Sequence, residues 1–252
     1  MVDGVAAFCS ITTETSDQVL SRDLDRVASD VAACFAATLG PPLGRKPLRI
    51  AVGPCPRCVL NDLPHSYRIH LTQLGRDYCR FVYQLAHEIG HVYCNPYKSN
   101  WLIETLCEMA SQVCLRALAD QWKTAPPFPN WRAYACHFGE YLSKSRAKHR
   151  EACGIAAETC LRSHWNNARH RLHQALEDKN LRERNGVLAE ALIVHGLRLH
   201  ILPVVGQCCP RDDEARDGSL WDWLCTASSH PGIKFLQALL EPLLKHRPAV
   251  AD

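Results

Sequence analysis

The sequence predicts an α+β protein that is mostly helical, with a small sheet in its N-terminal half. Apolar residues recur every three or four positions over most of the chain, which is the period of an amphipathic helix. Two short apolar segments, 48–52 and 67–71, predict strands instead. Two strands are too few for a barrel or a doubly wound sheet, so helices must supply most of the core.

Three long helices are predicted in the N-terminal half. The first covers 17–39 and ends at a Gly-Pro-Pro sequence. The second covers about 76–95 and ends before a proline, which disfavours helical geometry in its predecessor. The third covers 101–122, and Ser99 or Asn100 can cap it.

The C-terminal half reads as helix almost throughout. After a proline-rich break near residue 126, helices are predicted over 131–150, 152–177, 187–202 and 232–246. The break divides the chain into 1–125 and 126–252, either as two parts or as one continuous domain.

The composition excludes several classes of protein. Of the 252 residues, 47% are hydrophobic and 22% are charged, as in an ordinary globular protein. The net charge of +3 comes without any nucleic-acid motif, so a nucleic-acid partner is not favoured. No apolar run approaches the roughly 18 residues of a membrane helix, so no membrane partner is expected.

The N-terminus and the cysteines predict a reducing, cytoplasmic compartment. The first residues carry an acid at Asp3 and no basic segment or long apolar core, unlike a secretory signal. Export by a route without a cleaved signal peptide would not be detectable from the N-terminal sequence. Fourteen cysteines are then expected to be free thiols. Cys55 and Cys58 have metal-knuckle spacing, but no second CxxC pairs with them.

The segment from His87 to His91, HEIGH, is the strongest chemical signal. The two histidines are four residues apart on a predicted helix, so they lie on one face, about 6 Å apart along the axis. Both imidazoles can therefore bind one tetrahedral Zn²⁺. Glu88 is one step around the helix, where a carboxylate can take a proton from zinc-bound water. Gly90 leaves room beside the metal.

An HExxH sequence on a helix resembles the active-site segment of the zincin metallopeptidases. The metzincin extension requires glycine and histidine where this chain has Cys94 and Tyr97. Glutamates follow instead, as in the gluzincins, in which a second helix delivers a glutamate to the metal. The resemblance implies one Zn²⁺, a zincin-like sheet and active-site helix within 1–125, and a helical part, 126–252, that completes the cleft.

Two glutamates compete for the third ligand position. Trp101 to Glu104 resembles the WLxEG segment of aminopeptidase-like gluzincins, although Thr105 replaces the glycine. Glu108 to Ser111 resembles the Glu-x-x-Ser of thermolysin-like enzymes, and its distance from HExxH fits better. The larger number of matching residues favours Glu104. Because the two glutamates are four apart, one can bind zinc while the other orients a histidine.

These residues predict a zinc metallopeptidase. His87, His91 and Glu104, or Glu108 in its place, hold the zinc, and Glu88 is the general base that hydrolyses a peptide or protein substrate. Two alternatives stay open. One is a zinc-binding regulatory or sensor protein without proteolysis, and the other is a helical interaction module in which HExxH is incidental.

Further groups would complete such a site. The predicted strand 67–71 suits the edge strand that pairs with an extended substrate, or else a core strand. An oxyanion also needs a hydrogen-bond donor. Tyr134, His137 and Tyr141 follow the ligand helix and are candidates by position.

Overall fold

The computed structural model confirms a mostly helical α+β fold with a small mixed sheet. It describes residues 7–42, 45–156, 159–162, 182–208, 223–226 and 229–244.

Four strands form the sheet, in the order β1-β2-β4-β3. They are Ile11–Thr13 (β1), Leu48–Val52 (β2), Arg57–Val59 (β3) and Tyr67–Leu71 (β4). β2 is parallel to both β1 and β4, whereas β3 is antiparallel to β4. β2 and β4 have the predicted bounds, but β1 and β3 were not predicted, because three residues are too few for an alternating pattern.

The position of β4 corrects one interpretation of the sequence. β4 has a hydrogen-bonded neighbour on each side, β2 and β3. It is therefore an internal strand, and the edge-strand interpretation of 67–71 is wrong. β3 forms the edge of the sheet on that side, among the residues that the structure describes.

Three long helices follow the predicted course. They are Gln18–Leu39 (α1), Tyr78–Cys94 (α2) and Trp101–Gln121 (α3). Each begins at a side chain that accepts hydrogen bonds from first-turn N–H groups, and these caps are Asp17, Asp77 and Asn100. Gly40 ends α1 with φ of +72°, a left-handed conformation that favours glycine.

The C-terminal half departs from its prediction at two places. A 3₁₀ turn, Pro129–Tyr134, precedes the longer helices of the described C-terminal residues: Ala135–Ala152 (α4), Arg182–Val194 (α5), Ile201–Cys208 (α6) and Pro231–Leu244 (α7). The predicted helix 187–202 is interrupted after α5, where Gly196 adopts φ of +100°. The predicted helix 152–177 does not form over 153–156, and most of its remainder lies outside the described residues.

α3 contacts elements from both predicted parts of the chain. It packs against α1, α2, α4 and α5. One cluster of buried side chains includes Leu24, Leu115, Phe138 and Leu192, from α1, α3, α4 and α5. The division into 1–125 and 126–252 stays a prediction. Across the described residues, no helix has both the length and the apolar composition that a bilayer span requires.

Candidate metal centre

The two histidines of HExxH project from α2 toward α3. Their ring centroids are 5.1 Å apart, and both side chains are largely buried. This proximity follows from their spacing, because residues four apart lie one turn above each other on a helix. The apolar neighbours Leu85 and Ile89 are fully buried, so they fix the rotation of α2 against the core.

Glu104 lies opposite both histidines. One carboxylate oxygen is 3.2 Å from Nε2 of His87, and the other is 3.5 Å from Nε2 of His91. Ser99 Oγ donates a hydrogen bond of 2.7 Å to the carboxylate. Glu104 is in the first turn of α3, where the helix dipole also favours a negative charge. The glutamate preferred from the sequence is thus oriented toward both imidazoles.

Glu108, one turn further along α3, is on the other side of His87. Its Oε2 is 3.9 Å from Nδ1 of His87, and neither of these buried atoms has a hydrogen-bond partner among the residues that the structure describes. Its Oε1 accepts a hydrogen bond of 2.5 Å from Tyr83 Oη. Glu108 is only 1% exposed, whereas the Glu104 side chain is 24% exposed. Glu104 therefore borders the open side of the cluster and Glu108 its buried side.

Burial and neighbouring charges shift the pKa values of His87 and Glu104 in opposite directions. Burial lowers the pKa of His87, but its hydrogen bond to Glu104 and the charges of Glu88, Glu104 and Glu108 outweigh burial, so this pKa is raised. Burial also raises the pKa of Glu104, yet hydrogen bonds and charge from both histidines reverse this and hold it well below its usual range. Both shifts favour the charged forms of His87 and Glu104, whose Nε2 and Oε2 atoms are 3.2 Å apart.

Glu88 is buried beside this pair and is 4% exposed. Burial raises the pKa of its carboxyl, although the charges of His87 and His91 lower it in part. A raised pKa moves a carboxyl toward the range in which it can both accept and donate a proton in catalysis. The structure therefore brings together all five residues selected from the sequence, which are His87, Glu88, His91, Glu104 and Glu108.

The donors of the cluster fit a zinc ion. Two imidazole nitrogens face the two oxygens of one carboxylate, and these donor types form a ligand set that Zn²⁺ uses in proteins. Within this cluster, the group of donor atoms that all lie within 4.8 Å of one another is a ring nitrogen of each histidine and the Cys107 thiol, and Glu104 is not in that group. The orphaned His87 Nδ1 and Glu108 Oε2 fit as well, because a zinc-binding histidine commonly donates its second N–H to a carboxylate.

Two of the three candidate hydrogen-bond donors to the oxyanion lie away from the cluster of His87, His91 and Glu104. Tyr134 accepts a hydrogen bond from Cys79 at 3.5 Å, and His137 packs on Tyr134. Cys79 precedes His87 by about 12 Å along α2, which is too far for a donor at the metal. Tyr141 is closer, because its ring packs against Tyr83. By this geometry, Tyr134 and His137 are excluded from the cluster.

Three residues near the cluster were not selected from the sequence. Tyr83 binds Glu108, and Arg182 of α5 lies 5.3 Å over the Tyr83 ring, where its charge lowers the pKa of Glu88 in part. The thiol of Cys107 lies within 4.8 Å of a ring nitrogen of each histidine. The sequence could have indicated Tyr83 as a site residue, since it is one turn before His87 on the same helix. It could not have indicated Arg182, because only the fold brings this residue of α5 close to Tyr83 of α2.

The edge strand β3 reaches the same region. Burial and the charge of Glu88 raise the pKa of the Cys58 thiol to about 12, which indicates that Cys58 of β3 faces α2 near Glu88. Cys55, the other cysteine of the CxxC sequence, is exposed.

Comparisons with known proteins give no relative. No protein-family model, no curated protein and no solved structure matches the chain.

Proposed function

We propose that this protein is a zinc-dependent hydrolase, a gluzincin-like metallopeptidase that cleaves a peptide or protein substrate. The observation that carries the proposal is the convergence of His87 Nε2 and His91 Nε2 on the two carboxylate oxygens of Glu104. Two imidazoles and one carboxylate leave a fourth position of a tetrahedral ion for water or substrate.

The two competing glutamates receive different roles. Glu104 is the third zinc ligand, since it approaches the Nε2 atoms of both histidines. Glu108 Oε2 faces Nδ1 of His87 at 3.9 Å, and when zinc binds, a small approach would let this carboxylate accept the Nδ1–H and fix the tautomer in which Nε2 is free to bind zinc. Tyr83 in turn orients Glu108.

Hydrolysis then depends on Glu88. A bound Zn²⁺ supplies Lewis acidity toward water and the scissile carbonyl. Glu88 takes the proton of the attacking water and transfers it to the leaving amine, and burial raises its pKa in the direction that favours holding this proton between the two transfers. Arg182 is the candidate to stabilise the developing oxyanion, supported by its electrostatic influence on Glu88.

The substrate is proposed to lie along β3. In the described residues this strand is the sheet edge beside β4, so its outer N–H and C=O groups are free to pair with an extended peptide. Its Cys58 lies near Glu88, which supports a substrate path past the general base. A cytoplasmic location is proposed as well, and it is supported by the free thiols of the twelve cysteines whose side chains the structure describes.

Metal analysis and a cleavage assay test this function. The purified protein should contain one zinc per chain, and the variant His91→Ala should lose it. Cleavage of a peptide library should fall roughly 10²- to 10⁴-fold in Glu88→Gln, which keeps the zinc. Undiminished cleavage in that variant would overturn the mechanism. Zinc without any cleavage would favour the regulatory alternative, and no zinc would favour the interaction module.

A further inference from the structure

Cys107 occupies the side of the cluster between the two glutamates. It is fully buried on α3, three residues after Glu104 and one before Glu108. Its Sγ and one ring nitrogen of each of His87 and His91 all lie within 4.8 Å of one another. The thiol makes no hydrogen bond with a residue in the described part of the chain. A soft donor without a partner is therefore directed at the two imidazoles.

Gly90 is the reason that the thiol reaches this position. A Cβ at residue 90 would lie 3.1 Å from Cys107 Sγ and 3.2 Å from Cys107 Cα. Glycine at this point allows α3 to approach α2 closely, and the thiol fills the space. The sequence suggested that Gly90 leaves room beside the metal, and the structure shows that Cys107 occupies this room.

The surroundings of Cys107 differ from those of an ordinary core thiol. A buried free cysteine usually behaves as a small hydrophobe. Cys114, two turns further along α3, fits that description, since its thiol contacts only Cys34 among ionisable groups in the described residues. Cys107 lies near the thiol of Cys94 but also near the carboxylates of Glu88, Glu104 and Glu108 and the two histidines, and burial together with the thiol of Cys94 and these carboxylates raises the pKa of its thiol. Such a polar environment is unfavourable for a packing residue and suitable for a metal ligand.

We propose that Cys107 is a fourth protein ligand, which closes the metal site formed by His87, His91 and Glu104. On binding, the thiol proton leaves to solvent and a sulfur–metal bond forms. Water and the thiolate then compete for one position, because a tetrahedral site with four protein donors has none free. Hydrolysis requires that water displaces the thiolate, which regains a proton. The inference rests on the proposed function. It adds an inactive state, in which the thiolate of Cys107 occupies the metal position that water needs for hydrolysis.

Cobalt substitution tests the ligand directly. Wild-type protein loaded with one Co²⁺ should show a near-ultraviolet thiolate-to-cobalt charge-transfer band. The variant Cys107→Ala should bind one Co²⁺ and lose the band completely. Cys114→Ala, on the same helix, is the matched control and should retain it. A wild-type protein that binds cobalt without this band overturns the inference and leaves the proposed function intact. A wild-type protein that binds no cobalt overturns the proposed function itself.

X-ray absorption on the zinc-loaded wild-type protein keeps the test independent of any variant. We expect one sulfur at about 2.3 Å beside nitrogen and oxygen at about 2.0–2.1 Å. A shell of nitrogen and oxygen alone would exclude Cys107 as a ligand.

Discussion

The phenol of Tyr83 donates a 2.5 Å hydrogen bond to Glu108, whose other carboxylate oxygen lies 3.9 Å from Nδ1 of His87. Tyr83 precedes His87 by one turn of α2, so a single helix holds both ends of this chain of contacts. The phenol thereby orients a carboxylate that would otherwise be buried with neither oxygen paired.

Removal of that phenol should cost stability. We expect Tyr83→Phe to lower the free energy of unfolding by about 1–3 kcal/mol, because Glu108 loses its only donor among the described residues. Urea unfolding of the metal-free protein measures the effect. Tyr141→Phe is the control, since its ring packs on Tyr83 and its hydroxyl bonds no described residue. Equal losses in both variants would contradict the role of the hydrogen bond.

Substitution of Glu104 and substitution of Glu108 should lower the zinc affinity to different extents. Glu104→Gln removes a ligand charge and should leave the protein without stoichiometric zinc. Glu108→Gln should keep zinc with an affinity lowered roughly 10- to 100-fold, as is typical when a carboxylate behind a histidine ligand is changed. Competition with a chromogenic chelator measures both constants. The reverse order of losses would make Glu108 the ligand.

The stability of the metal-free protein should depend on pH through the His87–Glu104 pair. The folded-state pKa of His87 is raised, so its contribution is present below its unfolded value of 6.5 and is lost as pH rises through the folded pKa. The folded-state pKa of Glu104 is lowered, so its contribution is present above its unfolded value of 4.5 and is lost as pH falls. Both contribute between these two values.

Thermal unfolding in the presence of a chelator checks this dependence. The melting temperature should decline as pH rises above about 6.5, and Glu104→Gln should show a flatter profile over the same range. Added zinc should stabilise the wild type more at pH 8 than at pH 6, because zinc binds the neutral imidazole. A zinc effect that does not change with pH would argue against His87 as a ligand.

Arg182 should set the acid limb of the activity profile. Its charge lowers the pKa of Glu88 in part, so Arg182→Gln should move the acid limb of kcat/KM to higher pH. A lower kcat should accompany the shift if the guanidinium stabilises the oxyanion. Arg162→Gln, a change of another arginine of the C-terminal half, serves as the control. If the acid limb of kcat/KM is unchanged in Arg182→Gln, Arg182 does not act on Glu88.

The sequence predicted those features that depend on local patterns. The helix with His87 and His91 was predicted from its apolar period and from the spacing of the histidines, and β2 and β4 were found with their observed bounds. The apolar period continues across Gly196 and predicts one helix, whereas the positive φ of this glycine interrupts the helix after α5. Four-residue spacing places Glu104 and Glu108 on one face of α3, so the sequence alone does not distinguish them, whereas in the fold Glu108 is buried and Glu104 is partly exposed.

The loop between α2 and α3 has a consequence for the order of assembly. Every proposed donor lies between positions 87 and 108, on two helices joined by only a few residues. Contacts this local form early in folding, because closing a short loop costs little entropy. A nascent chain could therefore capture its metal before α4 to α7 leave the ribosome. Zinc would then act as a nucleus around which the later helices condense.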